Sequence, residues 1–343
     1  MHHSMQAAVY KGNQKFEIET LSIPKLQTNQ VLIKVNYSGI CGTDVHAFQY
    51  DIVPVGTVLG HEYSGDIVAL GPDVKKFKIG DRVIGTGGNP PKNQGPGFLW
   101  RERFNFRTMG YSSNKKRGYA TYVVTDDWEP IKIPKKVTYL QAALCEPCGV
   151  TIRAMRLSNF KFGDTVAIFG GGPIGMLMLQ VARAAGASKI IATEISQARI
   201  DSLYNIGADK VVNPLKENVV SAIEDFTENK GVDIAFECAG VGETLDQALN
   251  SVSHSGQVTL VALSWEPIPI TSVNWAGREV KMQTTFGAWP LDYKLALDFI
   301  SKNIINIDSL VSNSAYINLE DIQQTFESLI KPKNELKVVI DMN

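Results

Sequence analysis

The 343-residue sequence has only four cysteines, too few for a disulfide-stabilised scaffold of this length. They are therefore predicted to be reduced thiols, buried small residues or metal ligands, in a reducing compartment such as the cytoplasm. The sequence also lacks an excess of charge of either sign, since it has 34 Lys and Arg and 35 Asp and Glu, for a net charge of −1. This balance argues against binding to nucleic acids or acidic membranes through overall charge.

Long hydrophobic runs are absent too. No window holds about 18 apolar residues without charge, and the most apolar helix candidate, Ile174 to Ala185, contains Gln180 and Arg183. Hydrophobic residues make up 44% of the chain and charged residues 20%, as in globular rather than disordered proteins. The length and composition predict a globular protein of about two domains without a membrane segment.

Two kinds of pattern divide the chain. Residues 1–150 are rich in β-strand patterns punctuated by Gly, Pro and Asp, whereas residues 151–289 alternate short apolar strands with helices. The alternation predicts an α/β fold with a doubly wound parallel sheet of Rossmann type, covered by helices on both faces. A last strand, Leu336 to Ile340, is expected to return residues 290–343 to the β-rich domain.

A glycine-rich loop marks the expected dinucleotide site. The segment Gly170-Gly-Gly-Pro-Ile-Gly175 has the G-x-G-x-x-G pattern, follows a predicted strand and opens a predicted helix. The free N–H groups and the positive dipole end of such a helix bind a pyrophosphate. The candidate coenzyme-binding residues of the loop are Gly170, Gly172, Pro173, Ile174 and Gly175.

Glu194 follows the next predicted strand, 24 residues after Gly170. A carboxylate at this place accepts hydrogen bonds from ribose hydroxyls and opposes a 2′-phosphate, so NAD is favoured over NADP. Arg199 leaves this preference open, because its side chain could stack on adenine, meet a 2′-phosphate or be a solvated helix charge. Cys238, after a later strand, is expected to line the nucleotide cleft as a small residue.

Metal-ligand residue types occur at three places in the sequence, namely Cys41, the pair His61-Glu62 and Glu146. Thiolate, imidazole and carboxylate are ligand types that zinc prefers, and three protein ligands with one open position form a catalytic site. The distance of 20 residues between Cys41 and His61 is not specific by itself. A shared metal site is therefore a hypothesis that the surrounding motifs must support.

Several motifs agree in order and spacing with one family. They are Gly39-Ile-Cys41-Gly-Thr43-Asp-Val-His46, Leu59-Gly-His61-Glu62-Tyr-Ser-Gly65, Gly80-Asp-Arg-Val83, Gly207-Ala-Asp209 and Phe236-Glu-Cys-Ala-Gly240. With them the sequence resembles the zinc-dependent alcohol and polyol dehydrogenases of the medium-chain dehydrogenase/reductase superfamily, from about Met5 to the C-terminus. The pattern that contains Glu62 and Glu146 resembles the sorbitol, butanediol, threonine and glucose dehydrogenase branch more than the classical ethanol dehydrogenase branch.

The resemblance implies a GroES-like catalytic domain of residues 1–150 and 290–343, and an NAD-binding Rossmann domain of residues 151–289. It also implies an assembly of identical chains, either dimers or tetramers. The implied site residues are Cys41, His61 and Glu62 as zinc ligands, Glu146 as a fourth or water-mediated ligand, Thr43 and His46 as a proton relay, and Lys337 as a basic residue reaching the coenzyme pyrophosphate. Asp44, between the relay residues, is expected to order its loop.

One departure from the resemblance concerns a second metal. Many relatives bind a structural zinc through four cysteines in the lobe that corresponds to residues 85–118, and this sequence has no cysteine there. A structural zinc is therefore not expected. The basic and aromatic stretch Phe98 to Arg107 is expected to replace its packing role or to contact another subunit.

The expected reaction is hydride transfer between a small secondary alcohol, polyol or sugar and the coenzyme. Zinc lowers the pKa of a bound oxygen by several units, which favours a zinc-bound alkoxide mechanism. Because Cys41 and Glu62 already neutralise Zn²⁺, Glu146 is expected to bind it only without substrate or through water. Four aromatic residues are either walls of the substrate pocket or core residues, namely Phe48, Trp100, Tyr119 and Trp289.

Two alternatives remain open. One is a zinc-free, NADP-dependent enone or quinone reductase of the same superfamily, against which the presence of both Cys41 and His61 argues. The other is a non-catalytic dinucleotide-binding protein, which would bind the coenzyme without turning over any alcohol.

Overall fold

The computed structural model describes residues 3–86, 111, 113, 116–311, 315–331 and 336–343. The chain divides into two compact units, Met1–Glu146 with Val311–Asn343, and Pro147–Leu310. The predicted mixed α/β class is confirmed, with a largely antiparallel sheet in the first unit and a parallel sheet in the second. Among the described residues, no helix combines the length and apolar character needed to span a bilayer.

Both units combine strands with helices. The described strands are β1 Ser4–Gly12, β2 Lys15–Ser22, β3 Gln30–Gly39, β4 Glu62–Leu70, β5 Arg82–Ile84, β6 Tyr122–Asp126, β7 Ile131–Lys132, β8 Thr165–Phe169, β9 Lys189–Thr193, β10 Lys210–Val212, β11 Val232–Glu237, β12 Val252–Leu260, β13 Lys281–Thr284, β14 Tyr316–Ile317 and β15 Val339–Asp341. The described α-helices are α1 Gly42–Gln49, α2 Tyr139–Ala143, α3 Cys145–Leu157, α4 Pro173–Ala185, α5 Gln197–Asn205, α6 Val219–Phe226, α7 Gly242–Ser251, α8 Val273–Gly277, α9 Pro290–Ser301 and α10 Ile322–Leu329.

The first unit contains a sheet of order β14-β15-β3-β4-β5-β7, with β6 also paired to β3, and a separate β1-β2 hairpin. Strand β3 places the β-branched residues Val31, Ile33 and Val35 in the core, where such residues favour strands. The returning C-terminal strand is confirmed, although β15 is shorter than predicted. It pairs antiparallel with the end of β3, which ties the C-terminus to this unit.

Strand register brings the first candidate metal ligands together. Strand β3 ends at Gly39, two residues before Cys41, and Gly39 pairs with Glu62 at the start of β4. A Cβ atom on Gly39 would lie 2.3 Å from Glu62 Oε2, so only glycine fits at this position. The pairing therefore places Cys41 and the His61-Glu62 segment at the same end of the sheet.

The second unit contains a parallel sheet of order β10-β9-β8-β11-β12-β13. This is the 3-2-1-4-5-6 order of a doubly wound dinucleotide-binding sheet, as the sequence pattern predicted. Helix α4 follows β8 and begins at Pro173, whose fixed φ suits the first helical position. It ends before Gly186, which has φ of +99° and forms the left-handed C-cap.

The second unit continues to Leu310, beyond the boundary predicted at residue 289. Helix α9 packs on α3 through the fully buried Asp292, which accepts a hydrogen bond from Arg156 and lies 3.7 Å from Arg153. Beyond α9, the side-chain amide of Gln180 exchanges two hydrogen bonds with the backbone of Asn306. These buried polar contacts were not readable from the hydrophobic pattern.

Candidate active site

Three of the four predicted metal ligands form one cluster. One ligand atom each of Cys41, His61 and Glu62 lies within 4.8 Å of the others, and Glu62 is fully buried. Glu62 Oε2 accepts no hydrogen bond from the described residues, although a lysine ammonium lies close to it. One sulfur, one imidazole and one carboxylate with a buried oxygen form a donor set that fits zinc. The carboxylate of Glu146 is not part of this cluster.

The predicted relay residues lie on α1, directly after Cys41. The Thr43 hydroxyl donates a hydrogen bond to Cys41 Sγ at 3.1 Å, which supports the negative charge of a thiolate. His46 lies one helical turn further on and is partly buried. Burial lowers the pKa of His46, so its ring is neutral at pH 7 and able to accept a proton.

Asp44 has a larger role than the ordering of its own loop. Its fully buried carboxylate lies beside His61, with Oδ1 3.4 Å from His61 Nδ1. Burial alone would raise the pKa of Asp44, but the charge and hydrogen bonding of His61 hold it below its usual value. A carboxylate on one ring nitrogen orients the other nitrogen toward a metal, so Asp44 supports the predicted ligand role of His61.

Two phenols complete the surroundings of Asp44. Tyr111 donates a hydrogen bond to Oδ1 at 2.6 Å, and Tyr119 donates one to Oδ2 at 2.7 Å. Burial first, and then the charge of Asp44, raise the pKa of both phenols well above the usual value. Both tyrosines therefore stay protonated and remain hydrogen-bond donors.

Lys337, which is predicted to reach the coenzyme pyrophosphate, lies at the metal-ligand cluster in this structure. Its Nζ atom is 2.6 Å from both carboxylate oxygens of Glu62, and the side chain is buried. Burial alone would lower the pKa of Lys337, but the charge of Glu62 raises it, so the ammonium stays charged. Because Lys337 and Glu62 are 275 residues apart, no sequence spacing could have revealed this pair.

Glu146 begins the first turn of α3 and is 9% exposed. Burial raises its pKa to about 7, with His61 opposing the shift and Glu62 adding to it. The pKa of this carboxyl group therefore responds to the charges of the cluster, although the group is not part of it.

The predicted nucleotide loop has the geometry that its pattern requires. Gly170 has φ of +99°, and a Cβ atom on Gly175 would lie 1.8 Å from the Gly170 carbonyl oxygen, so both positions require glycine. A Cβ atom on Gly172 would meet no atom within 4 Å, which leaves open space at the N-terminus of α4. Pro173 and Ile174 form the first turn of this helix. The loop therefore has room for a pyrophosphate on the free N–H groups.

Glu194 lies directly after β9 and contacts this loop. Its Oε2 atom accepts a hydrogen bond from Gly171 N at 3.0 Å, and its Oε1 atom accepts one each from Ile195 N and Ser196 N at 2.8 Å. Arg199, on α5, has Nη1 3.9 Å from Glu194 Oε2. The structure thus brings Glu194 and Arg199, both predicted to contact the coenzyme, together beside the loop.

Glu237 is a buried carboxylate that the sequence patterns did not single out. It ends β11 and accepts hydrogen bonds from Ala239 N, Gly240 N and the Thr244 hydroxyl. The backbone N–H of the next residue, Cys238, donates to the Phe169 carbonyl at the end of β8. Burial raises the pKa of the Cys238 thiol well above its usual value, so this residue at the strand end is a thiol rather than a thiolate at neutral pH.

The structure places three of the four aromatic residues that were predicted to be either pocket walls or core residues in different surroundings. Phe48 is fully buried and stacks on Phe16, so it belongs to the core. Tyr119 donates a hydrogen bond to Asp44. The Arg153 guanidinium carbon lies 4.7 Å from the centroid of the Trp289 ring. Trp100 and the stretch 98–107 lie outside the described residues.

Comparisons with known proteins agree with this geometry. Residues 27–135 match the model of the alcohol dehydrogenase GroES-like domain, and residues 173–302 match that of zinc-binding dehydrogenases. The (R,R)-butanediol dehydrogenase of Bacillus subtilis (strain 168) is 31% identical over 354 residues, covering 99% of this chain and 100% of the relative. The sorbitol dehydrogenase of the same organism is 32% identical over 351 residues, covering 99% and 98%.

Solved structures give the same result. A crystal structure of 2R,3R-butanediol dehydrogenase from Bacillus subtilis superimposes with a TM-score of 0.89 at 31% identity, covering 99% of this chain and 100% of that one. A structure assigned as a zinc-binding dehydrogenase from Sinorhizobium meliloti 1021, bound to NADP, has a TM-score of 0.88 at 29% identity, with coverages of 98% and 99%.

The fold and the site define the class as an oxidoreductase with a GroES-like domain and a Rossmann domain. The chain belongs to the zinc-dependent alcohol and polyol dehydrogenases of the medium-chain dehydrogenase/reductase superfamily.

Proposed function

We propose that this chain is a zinc- and NAD-dependent dehydrogenase that oxidises a secondary alcohol, a polyol or a sugar. The observation that carries the proposal is the cluster of Cys41, His61 and Glu62, whose ligand atoms lie within 4.8 Å of one another. The butanediol and sorbitol dehydrogenases among its relatives support this substrate class. The four cysteines are free, which supports a reducing, cytoplasmic location.

The charges around the cluster suit a divalent cation. The Cys41 thiolate and the Glu62 carboxylate together match the two positive charges of zinc, while Asp44 and Lys337 add one charge of each sign. Zinc held by Cys41, His61 and Glu62 supplies a Lewis acid that makes a substrate hydroxyl acidic enough to be oxidised. The surrounding residues keep the site close to neutral.

The proton of the substrate hydroxyl leaves through residues of α1. We assign its first acceptor to the Thr43 hydroxyl, which is next to Cys41, and its transfer to solvent to the neutral ring of His46. Glu146 would add a third negative charge if it bound the metal during turnover. Its proposed role is therefore to hold a water molecule or to bind the metal only when substrate is absent.

The coenzyme binds to the loop from Gly170 to Gly175, with its pyrophosphate on the N-terminus of α4. Glu194 favours NAD, because its carboxylate accepts hydrogen bonds from ribose hydroxyls and opposes a 2′-phosphate. Arg199 lies beside this carboxylate and is proposed to face the adenine. A homo-oligomer, either a dimer or a tetramer, is part of the proposal.

A metal and substrate assay tests the proposal directly. The purified enzyme is expected to contain one zinc per chain and to reduce NAD faster than NADP with members of a panel of secondary alcohols, polyols and aldoses. Cys41→Ala should lose the zinc and at least about a thousandfold in kcat/KM, because the Lewis acid contributes several kcal/mol. Full turnover by a zinc-free Cys41→Ala enzyme would contradict the proposal.

A matched cysteine variant provides the control. Cys148 is fully buried, and burial raises its pKa to about 12, so it is a thiol rather than a thiolate ligand. Cys148→Ala should keep both zinc and turnover. Activity on enones that survives chelation would instead indicate the zinc-free reductase.

The role of Glu146 has its own test. Glu146→Gln is expected to retain zinc but to lose turnover, because the amide keeps the volume of the side chain without its negative charge. Zinc content and kcat are measured on the same preparation. Loss of the metal in this variant would make Glu146 an obligatory ligand.

A further inference from the structure

Asp44 connects the metal-ligand cluster to two tyrosines outside it. Its carboxylate is 0% exposed, and each oxygen accepts one phenol hydrogen bond, from Tyr111 at 2.6 Å and from Tyr119 at 2.7 Å. His61 Nδ1 lies 3.4 Å from the oxygen that Tyr111 contacts. The phenol contacts are thus shorter than the contact to the metal-ligand candidate.

Tyr119 is held by the segment that carries His61. Its backbone N–H donates to the Leu59 carbonyl at 2.9 Å, and the preceding residue, Gly118, donates to the Gly60 carbonyl at 2.8 Å. Gly60 has φ of +94°, and a Cβ atom there would lie 2.5 Å from the Tyr119 ring. The ring is therefore packed against the residue before His61, while its hydroxyl reaches Asp44.

Tyr111 contacts the other carboxylate oxygen of Asp44. It belongs to residues 85–118, the lobe that has no cysteine, and its side chain is 9% exposed. A hydrogen-bonding contact with Thr43 also affects its hydroxyl. Tyr111 therefore contacts both Asp44 and the proposed proton acceptor.

We propose that Tyr111 and Tyr119 are positioning residues of the metal site, which hold Asp44 in the orientation that directs His61 toward the metal. The proposal depends on the zinc site of the proposed function. A carboxylate with one donor can rotate about its χ2 angle, whereas a carboxylate with a fixed donor on each oxygen cannot. The phenols also compensate the buried charge of Asp44 without adding a positive charge near the cation.

The test measures zinc affinity of the full-length enzyme by competition with a chromophoric chelator. Tyr111→Phe and Tyr119→Phe each remove one hydroxyl and keep the ring, so each is expected to weaken zinc binding roughly tenfold, as loss of a partner behind a metal-ligating histidine does. The cobalt-substituted variants should also show shifted visible absorption bands, because the geometry of His61 at the metal changes. A purely structural role would leave these bands unchanged.

Tyr10→Phe is the matched control. Tyr10 is another fully buried tyrosine of the first unit, and it donates to Asp51, which is not a member of the cluster. Its loss is expected to change stability but neither zinc affinity nor the cobalt spectrum.

A double-mutant cycle tests whether the phenols act through Asp44. In an Asp44→Asn background, each tyrosine substitution should change zinc affinity by no more than about twofold, because the carboxylate that it positions is gone. An undiminished tenfold loss in that background would overturn the proposal, as would wild-type affinity and spectra in both single variants. If Tyr111→Phe does not fold, Tyr119→Phe decides the question alone. Failure of the unchanged enzyme to bind zinc would overturn the metal site itself, and this inference with it.

Discussion

Each unit contains a buried carboxylate at its candidate site, and the two are stabilised in different ways. Glu62 is 0% exposed and is neutralised by the Lys337 ammonium, 2.6 Å from both of its oxygens. Glu194 is 7% exposed and accepts three backbone N–H hydrogen bonds, including one from Gly171 in the nucleotide loop. The Glu62 carboxylate is therefore balanced by an ammonium in direct contact, and the Glu194 carboxylate mainly by backbone dipoles, with the Arg199 guanidinium beyond hydrogen-bond distance at 3.9 Å.

This difference matches the ligands that the two sites are proposed to bind. A carboxylate that already contacts one cation can bind a second cation beside it or in its place. Glu62 is therefore suited to bind a metal ion. A carboxylate with about four lone-pair positions, three of them used by backbone N–H groups, keeps one for a neutral donor. Glu194 is therefore suited to a sugar hydroxyl.

The largest expected effect comes from removing the cation beside Glu62. Lys337→Met should lower the free energy of unfolding of the metal-free protein by about 3–5 kcal/mol, because it leaves a buried carboxylate without its partner. Saturating zinc should reduce the difference from wild type, since the metal replaces the missing positive charge. Chemical denaturation with chelator and with zinc measures both values.

A double variant is the control for this prediction. Glu62→Gln combined with Lys337→Met removes both buried charges and should recover most of the lost stability in the metal-free protein. Equal stability of Lys337→Met and wild type would show that Glu62 does not depend on the ammonium, and the contrast with Glu194 would disappear.

The second prediction concerns Glu194 and is smaller in free energy. Glu194→Ala should lower kcat/KM for NAD by roughly tenfold to a hundredfold, because a hydrogen bond to a charged group is lost. The kcat/KM for NADP should fall less or rise, since the repulsion of a 2′-phosphate is removed. The ratio of the two values is the measured quantity.

Asp201→Ala provides a matched loss of one negative charge on α5, the helix that follows Glu194. Its side chain is exposed, and the coenzyme ratio should stay at the wild-type value. A similar change of the ratio in both variants would point to overall charge rather than to the position of Glu194.

The smallest expected effect concerns Glu237, a third carboxylate that has only neutral donors. Burial raises the pKa of Glu237 above its ordinary value of 4.5, so the folded protein binds this proton more tightly than the unfolded chain. Its contribution to stability is full below pH 4.5 and decreases as the pH rises through the folded-state pKa. The stability of Glu237→Gln relative to wild type should therefore increase from pH 4 to pH 7 in urea unfolding experiments. A difference that does not vary with pH would contradict the raised pKa.

Some features of the two sites were predictable because their causes are local. The loop from Gly170 to Gly175 needs glycine for its turn and for the packing of α4, and both demands act within six residues. The position of Glu194 was predictable because the end of the next strand follows the glycine-rich loop at a regular separation in the sequence. The motifs around Cys41 and His61 marked these residues as candidate ligands through their resemblance to a family rather than through spacing.

Other features depended on contacts between distant segments. Tyr111 and Tyr119 are 67 and 75 residues from Asp44 in the sequence, and a tyrosine in a β-rich region has no pattern that marks it as a hydrogen-bond donor to a buried carboxylate. The contact of α9 with α3 is of the same kind, since it joins the buried Asp292 to Arg153 and Arg156 from a distant segment.

The order of apolar and turn residues along the chain was enough to determine a parallel sheet with a nucleotide loop, since hydrophobic periodicity and glycine requirements act over short stretches. Only the tertiary structure decided which charges meet, because burial brings side chains from distant segments together and each buried charge must find a partner. The placement of Lys337 on Glu62, and of two phenols on Asp44, belongs to this second group.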